Sequence, residues 1–392
     1  FEIDNRLTVA KLNNTFKVGP DHTFRVGGEY RSGAHITDNS AAQLSQGADT
    51  IGKTAAVSGL WDWKINDKLN SSVAARFDSF GLELDGPGNN GTNPIPFFLQ
   101  PYYTETDLDG QRRNEVSYNV GFVYKASDKE TYRLTHSRGA DLPSFIEFHV
   151  PLLTPGPDGN PFAPADNDVT GGDPDVETSI VNNVELGYTR NIDRINGQLD
   201  AAVFYQHSDD MQSFRARFIP QGAASPFGTA ELLGNLGDSE AYGFELGLSG
   251  TYQDNLDWAL NYSYIDINDD LNNFNTDARA PGEFSNTFNY EDSVANHRIN
   301  AHLGYDWNDW RFDVFGQYLT SSDFLVARSQ SVNLGFVPTE VNDQIIVNAN
   351  IAYDLADNLT WSVSGTSVTG ATQQFPENDA ERTVYSTLSI KF

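Results

Sequence analysis

From Tyr242 onward, alternate residues are apolar or aromatic (Tyr242, Phe244, Leu246, Leu248, Tyr252), while small or polar residues stand between them (Gly243, Glu245, Gly247, Ser249, Thr251). A period of two predicts a β-strand with two unlike faces. After the polar turn Gln253-Asp254-Asn255 the alternation resumes as Leu256, Trp258, Leu260, Tyr262 and Tyr264 against Asp257, Ala259, Asn261 and Ser263, and it continues to Asp266. The unit is a hairpin. Its strands outrun the usual five or six residues of a globular sheet, and aromatic residues stand near both ends of the apolar face. Such strands fit a tilted path through a bilayer.

The same pattern recurs along the chain. A first pair of strands is predicted over Arg6 to Lys17 and His22 to His35, turning at Gly19-Pro20-Asp21. A second runs over Ile51 to Ile65 and Leu69 to Leu84, turning at Asn66-Asp67-Lys68 with Trp61 and Trp63 close by. The third covers Arg112 to Lys125 and Glu130 to Arg138, turning at Ser127-Asp128-Lys129. The fourth covers Ser179 to Asn191 and Ile195 to His207, turning at Asp193-Arg194, and the hairpin above is the fifth. The sixth covers Arg298 to Trp307 and Trp310 to Thr320, turning at Asn308-Asp309. The seventh covers Ile345 to Tyr353 and Leu359 to Gly370, turning at Ala356-Asp357-Asn358. A last strand runs from Arg382 to Phe392.

This makes about fifteen strands, joined by short and long connections in strict alternation. The long ones, rich in Gly, Pro, Asn and Asp, include residues 85–110, 139–177, 209–237 and 268–295. Sorting of connections by length predicts an all-β, transmembrane, antiparallel up-and-down barrel with short periplasmic turns and long extracellular loops. A soluble propeller has shorter strands and loops that do not sort this way. With periplasmic turns, Phe1 falls on the outer side, whereas bacterial barrels have an even strand number and a periplasmic N-terminus. Residues 1–392 are therefore expected to form the C-terminal portion of one larger barrel domain. Further strands are expected to close it, because two open edges in lipid are prohibitive.

Length alone, 392 residues, suggests two or three soluble domains, and the periodicity overrides that. A mean hydropathy of −0.46 is what a barrel with a wet interior gives, since only alternate residues meet lipid. No apolar run approaches the length of a spanning helix. The net charge of −29 argues against nucleic acid as a partner. The absence of cysteine removes disulfides, thiolate metal sites and cysteine nucleophiles. Phe1-Glu2-Ile3-Asp4 lacks the charged and apolar regions of a signal peptide.

Three segments resemble a known family. Arg138-Gly139-Ala140-Asp141-Leu142-Pro143-Ser144-Phe145-Ile146-Glu147 looks like a strand-ending "RAPS-aromatic-x-E" segment. Glu177-Thr178, Asn183-Val184-Glu185-Leu186-Gly187-Tyr188 and Leu199 to Tyr205 resemble the hairpin after it, and Ala241-Tyr242-Gly243-Phe244-Glu245-Leu246 the "YGxEL" start of the next. In order and spacing these are similar to the TonB-dependent outer-membrane receptors, while residues 51–135 match by pattern only. The last strand alternates Val384, Leu388, Ile390 and Phe392 with Tyr385, Thr387, Ser389 and Lys391, and its terminal Phe392 resembles the signal read by the barrel assembly machinery.

The resemblance implies a barrel of about 22 strands around a plug, of which this chain holds the later part without plug or TonB box. It implies a Gram-negative outer-membrane location, with lipid and lipopolysaccharide around the wall. It further implies TonB-coupled uptake of a scarce small-molecule or glycan ligand: a siderophore-like chelate, haem, cobalamin or a glycan. In such receptors the ligand meets the outer loops, which directs attention to residues 139–177 and 209–237. Phe145, Glu147, His149, Phe162, Phe214, Arg215, Arg217 and Phe218 are the candidate ligand-binding residues. The arginine pair could clamp an anionic ligand in an otherwise acidic exterior, or pair with local carboxylates or lipopolysaccharide phosphates.

Asp266, Asn268 and Asp270, and the stretch from Asp158 to Asp175, offer oxygens of the kind that hold a loop calcium, although the first set lacks the glycine and distal glutamate of an EF-hand. No other cofactor is expected. For catalysis the chain offers His136-Ser137 and His207-Ser208-Asp209, but sequence neighbours on a strand point to opposite faces and form no triad, so no enzyme is expected. Inward Glu185, Asp200, Glu245 and Asp257 are expected to contact plug or lumen water. The remaining alternative is a passive porin, whose constriction sets acidic groups against a basic ladder. The inward positions read as mostly small, neutral or acidic, which favours a plugged receptor.

Overall fold

A computed structural model describes residues 3–37, 49–85, 112–143, 152–154, 168–172, 176–220, 229–271, 290–330, 333–370, 372–375 and 378–391. The strands are β1 (Ile3–Val18), β2 (His22–Thr37), β3 (Asp49–Lys64), β4 (Leu69–Asp85), β5 (Arg112–Ser127), β6 (Glu130–Asp141), β7 (Leu152–Thr154), β8 (Asp168–Gly172), β9 (Ser179–Ile192), β10 (Gly197–Asp209), β11 (Gln212–Pro220) and β12 (Thr229–Asn235). They continue as β13 (Gly237–Tyr252), β14 (Leu256–Leu271), β15 (His297–Trp307), β16 (Trp310–Leu319), β17 (Ser322–Gln330), β18 (Asn333–Val341), β19 (Gln344–Ala356), β20 (Leu359–Thr366), β21 (Thr372–Phe375), β22 (Asn378–Ala380) and β23 (Thr383–Ile390).

One 15-stranded sheet runs β1-β2-β3-β4-β5-β6-β9-β10-β13-β14-β15-β16-β19-β20-β23, so each member pairs with the next one along the chain. Every one of these pairings is antiparallel, as an up-and-down wall requires. The predicted short turns all fall between the expected strands. At the turn of the fifth hairpin Gln253 and Asp254 both take positive φ, 52° and 58°, the left-handed twist that lets two paired strands fold back tightly.

Register places the apolar set on one continuous face. Val203 lies opposite both Leu186 and Phe244, and Leu260 opposite both Leu248 and Ala301. Leu186, Val203, Leu246, Leu260, Leu303 and Val314 are all about half exposed. Few large apolar side chains of the described residues are buried, Leu82, Val176 and Leu236 among them, so the wall has no second layer to cover this face. Lipid supplies the missing cover.

Aromatic rings mark both ends of that face. At the short-turn end Phe16, Phe24, Trp61 and Trp63 stack in series at centroid distances of 5.6, 6.0 and 5.3 Å, and the Trp61 indole N–H donates to His22 Nδ1 at 3.1 Å. At the long-loop end the Tyr205 hydroxyl donates to Glu240 at 2.9 Å and the Tyr242 hydroxyl to Asp266. Each tyrosine keeps its ring on the apolar face and its hydroxyl in water, the behaviour of interfacial aromatics.

The long connections differ from the open loops expected. Residues 139–177 and 209–237 contribute to one four-stranded sheet, β11-β12-β8-β7, in which β12 pairs in parallel with β8. Two further hairpins, β17-β18 and β21-β22, occupy later connections. The fifth hairpin also continues past Asp266, with Asn268 opposite Glu240 and Asp270 opposite Asp238. Sequence reasoning ends the strand at Asp266 because the mostly polar stretch beyond the membrane band leaves little apolar signal.

Candidate functional site

The inner wall carries more positive charge than the sequence suggested. Glu29 of β2 receives Lys11 at 3.2 Å, Arg31 at 3.0 Å and Arg76 at 3.4 Å, and Arg76 also forks onto Asp78 at 2.7 to 3.0 Å. Nearer the short turns, Arg311 reaches Asp257 at 2.7 Å, Asp306 at 2.9 Å and Asp313 at 2.8 Å. His302 stands 3.5 Å from Asp257 and 3.3 Å from Asp313, stacked on Phe315 at 4.3 Å. To the expected inward positions, mostly small, neutral or acidic, the structure adds these basic groups. Lysines and arginines hide in the polar half of each alternation, and which carboxylate each one meets is set by register.

The expected inward acids Glu185, Asp200 and Glu245 line an open hollow of about 470 Å³ together with Arg133, Arg298 and Asn261. Asp200 is held by Thr189 Oγ1 at 2.7 Å and Gln198 Nε2 at 2.6 Å. Together these residues present a polar, mixed-charge surface.

At the long-loop end, four chain segments meet in a bonded rim. The Asn235 side chain accepts from Glu177 N at 2.7 Å and donates to the carbonyls of Glu177 and Asp210 at 3.1 and 2.7 Å. Gln212 Nε2 donates to the carbonyls of Asp141 and Glu177 at 3.2 and 2.8 Å. Leu236 and Val176 are almost fully buried beside these contacts. Burial first, and then the carboxylates of Glu177, Asp238 and Asp209, hold the Asp210 carboxyl above the usual range. This rim fixes the ends of β6, β9, β10 and β13 from which β11 and β12 extend.

Of the candidate ligand-binding residues, Phe214, Arg215, Arg217 and Phe218 fall on β11. Arg217 lies opposite Leu232 and Phe218 opposite Glu231, and Arg215 sits in an irregularity between Ser213 and Arg217. Phe145, Glu147, His149, Phe162 and Phe392 lie outside the described residues, as do the carboxylates from Asp158 to Asp166. The calcium reading of Asp266, Asn268 and Asp270 does not hold as a loop site. They occupy alternate positions of β14, and a rise of about 3.3 Å per residue separates the outer two by about 13 Å, too far to share one ion.

His207, Ser208 and Asp209 behave as the strand argument requires. His207 Nε2 lies 2.7 Å from Asp209 Oδ1, while Ser208 belongs to the opposite face. Sequence reasoning missed the partner of this pair, Asp238, because a long connection separates it from β10. His207, Asp209 and Asp238 bring one nitrogen and two carboxylates within 4.8 Å of one another.

No curated protein matches the sequence. In fold the chain is similar to the copper transporter OprC, with a TM-score of 0.67 at 14% identity, covering 100% of this chain and 57% of that one. It is similar to the ferric enterobactin receptor PfeA from Pseudomonas aeruginosa, with a TM-score of 0.67 at 11% identity, covering 100% and 54%. It is also similar to the siderophore receptor PirA from Acinetobacter baumannii, with a TM-score of 0.65 at 13% identity, covering 100% and 55%. The chain thus spans a little over half the length of each of these structures. The family model "TonB dependent receptor-like, beta-barrel" matches residues 2–366. With the two-faced antiparallel wall, its aromatic rims and its length-sorted connections, that match establishes that the chain belongs to the TonB-dependent receptor β-barrel family.

Proposed function

We propose that this chain forms the wall of an outer-membrane receptor that takes up a scarce ligand by TonB-coupled active transport in a Gram-negative bacterium. The observation that carries this reading is the polar inner wall, where Glu29 and Arg311 are locked into mixed-charge networks and Asp200 is held by neutral hydrogen-bond donors. Such a surface suits a polar plug better than a free aqueous path, because the charges around Glu29 and Arg311 are already paired within the wall. A plug and the strands that close the barrel belong to the same reading, as do contacts with lipopolysaccharide, the TonB complex and the barrel assembly machinery.

The ligand is a siderophore-like metal chelate, haem, cobalamin or a glycan, and a metal chelate is the first class to screen, since the names of the structural relatives mention copper, siderophore and ferric enterobactin. The β11-β12-β8-β7 sheet supplies the outer platform, and Arg215 and Arg217 on β11 supply cationic groups for an anionic chelate. In the intact receptor, replacing both arginines with alanine is expected to weaken binding of an anionic ferric chelate by at least about tenfold. Equal affinity of the two proteins removes the arginine clamp. Accumulation of the chelate by cells that persists without TonB removes the transport reading.

A passive porin is a second reading, favoured by one observation: Arg25 and Arg31 of β2 and Arg76 of β4 share the polar face of the wall, the kind of ladder that lines a diffusion channel. Planar-bilayer recording on the intact protein separates the two. A steady ionic current supports the porin; silence supports the plugged receptor.

A further inference from the structure

His207 and Asp209 project from the same face of β10, and Glu240 of β13 lies opposite His207 with Asp238 two residues beyond it. The cluster sits just past Tyr205 and Tyr242, where the wall leaves the membrane band. Each carboxylate has a second contact that aims it: Asn182 Nδ2 donates to Asp209 Oδ2 at 3.4 Å, and the Asp210 N–H donates to Asp238 Oδ1 at 3.0 Å. Outer contacts of this kind orient metal ligands.

The imidazole supplies the independent sign of a ligand. Its Nε2 faces Asp209, while its Nδ1 is sealed from solvent and makes no hydrogen bond. Glu240 Oε1 stands 3.4 Å from Nδ1 without hydrogen-bond alignment. Buried polar nitrogens are almost always satisfied, by protein, water or an ion. Among the described residues, no lysine or arginine forms an ion pair with Asp209, Asp238 or Glu240, and His207 is the partner that meets this concentration of negative charge.

Donors on one tetrahedral ion lie about 3.4 Å apart, given bonds of about 2.0 to 2.2 Å. The ligand atoms here already lie within 4.8 Å of one another, close to that spacing. A donor set of imidazole and carboxylates suits a borderline transition metal, whereas calcium and magnesium take oxygen only. We propose that His207, Asp209 and Asp238 bind one divalent transition-metal cation of the zinc type, with Glu240 as the nearest further carboxylate. The ion ties β10 to β13 at the point where the chain departs into β11 and returns from β12, and so braces the base of the outer sheet. The proposal does not depend on what the receptor transports.

The test uses the intact receptor in detergent, stripped with a chelator and titrated calorimetrically with Zn²⁺ at neutral pH. One tight equivalent is expected. H207A and D238N are expected to weaken it by at least about tenfold, while D266N, on the neighbouring strand, keeps it. Co²⁺ loaded onto the wild-type protein is expected to give tetrahedral visible absorption that H207A abolishes, a readout that needs only the wild type to begin with. No Zn²⁺ uptake by the wild type overturns the proposal. So does uptake that H207A and D238N leave unchanged, or a site that prefers Ca²⁺ and ignores the loss of His207.

Discussion

Gly243 is a position on a central strand where an added side chain meets backbone, and its replacement gives a quantitative test of the wall. It lies on β13 opposite Phe204 of β10 and Ile265 of β14. A Cβ added there meets the Tyr264 carbonyl oxygen at 2.1 Å and Phe204 Cζ at 2.8 Å. The ring can swing aside, but the carbonyl belongs to the backbone of the next strand, so the sheet itself must yield. Overpacking that displaces backbone costs about 1–3 kcal/mol, and Gly243→Ala is expected to destabilise the barrel within that range. Gly316, whose added Cβ meets nothing within 4 Å, is the control: Gly316→Ala is expected to be neutral, or to stabilise by up to about 1 kcal/mol through reduced freedom of the unfolded chain. Urea unfolding of the lipid-reconstituted receptor, followed by tryptophan fluorescence, measures both. A further variant, Phe204→Ala with Gly243→Ala, is expected to recover only part of the loss, because the carbonyl contact remains. Equal stabilities of Gly243→Ala and Gly316→Ala would refute the packing argument and the β13-β14 register behind it.

Three other outcomes follow from the same structure. Arg311→Met leaves Asp257, Asp306 and Asp313 without their shared cation and is expected to cost about 1–3 kcal/mol in urea unfolding, with a milder loss at high salt; no change would mean that lumen water screens the cluster fully. Trp61→Phe keeps the stacking with Phe24 and Trp63 but removes the indole donor to His22, for an expected loss of about 1 kcal/mol by the same assay. Phe392→Ala is expected to lower the fraction of chains that reach the folded, heat-modifiable form in outer membranes, and a normal yield there would deprive the terminal aromatic of its assembly role.

The wall itself was legible in the sequence, because a strand with one face in lipid must alternate, and a tight turn must break the alternation with residues that accept positive φ. The turns at Gly19 and at Gln253-Asp254, the face shared by Tyr242, Phe244 and Leu246, and the separation of His207 from Ser208 all follow from that local rule. Beyond the membrane band the rule has nothing to act on. Past Asp266 polar residues stand on both faces of β14 and carry no period, and the strands within the long connections, β11 among them, are too short to stand out from the loops around them. What only the tertiary structure decided is cross-strand register: Arg311 among three aspartates, Glu29 among Lys11, Arg31 and Arg76, β12 beside β8, and His207 beside Asp238. Long connections separate β8 from β12 and His207 from Asp238, and a connection of that length fixes no pairing; the apolar face and the short turns fix the strands first, and the polar contacts follow from where those strands come to rest.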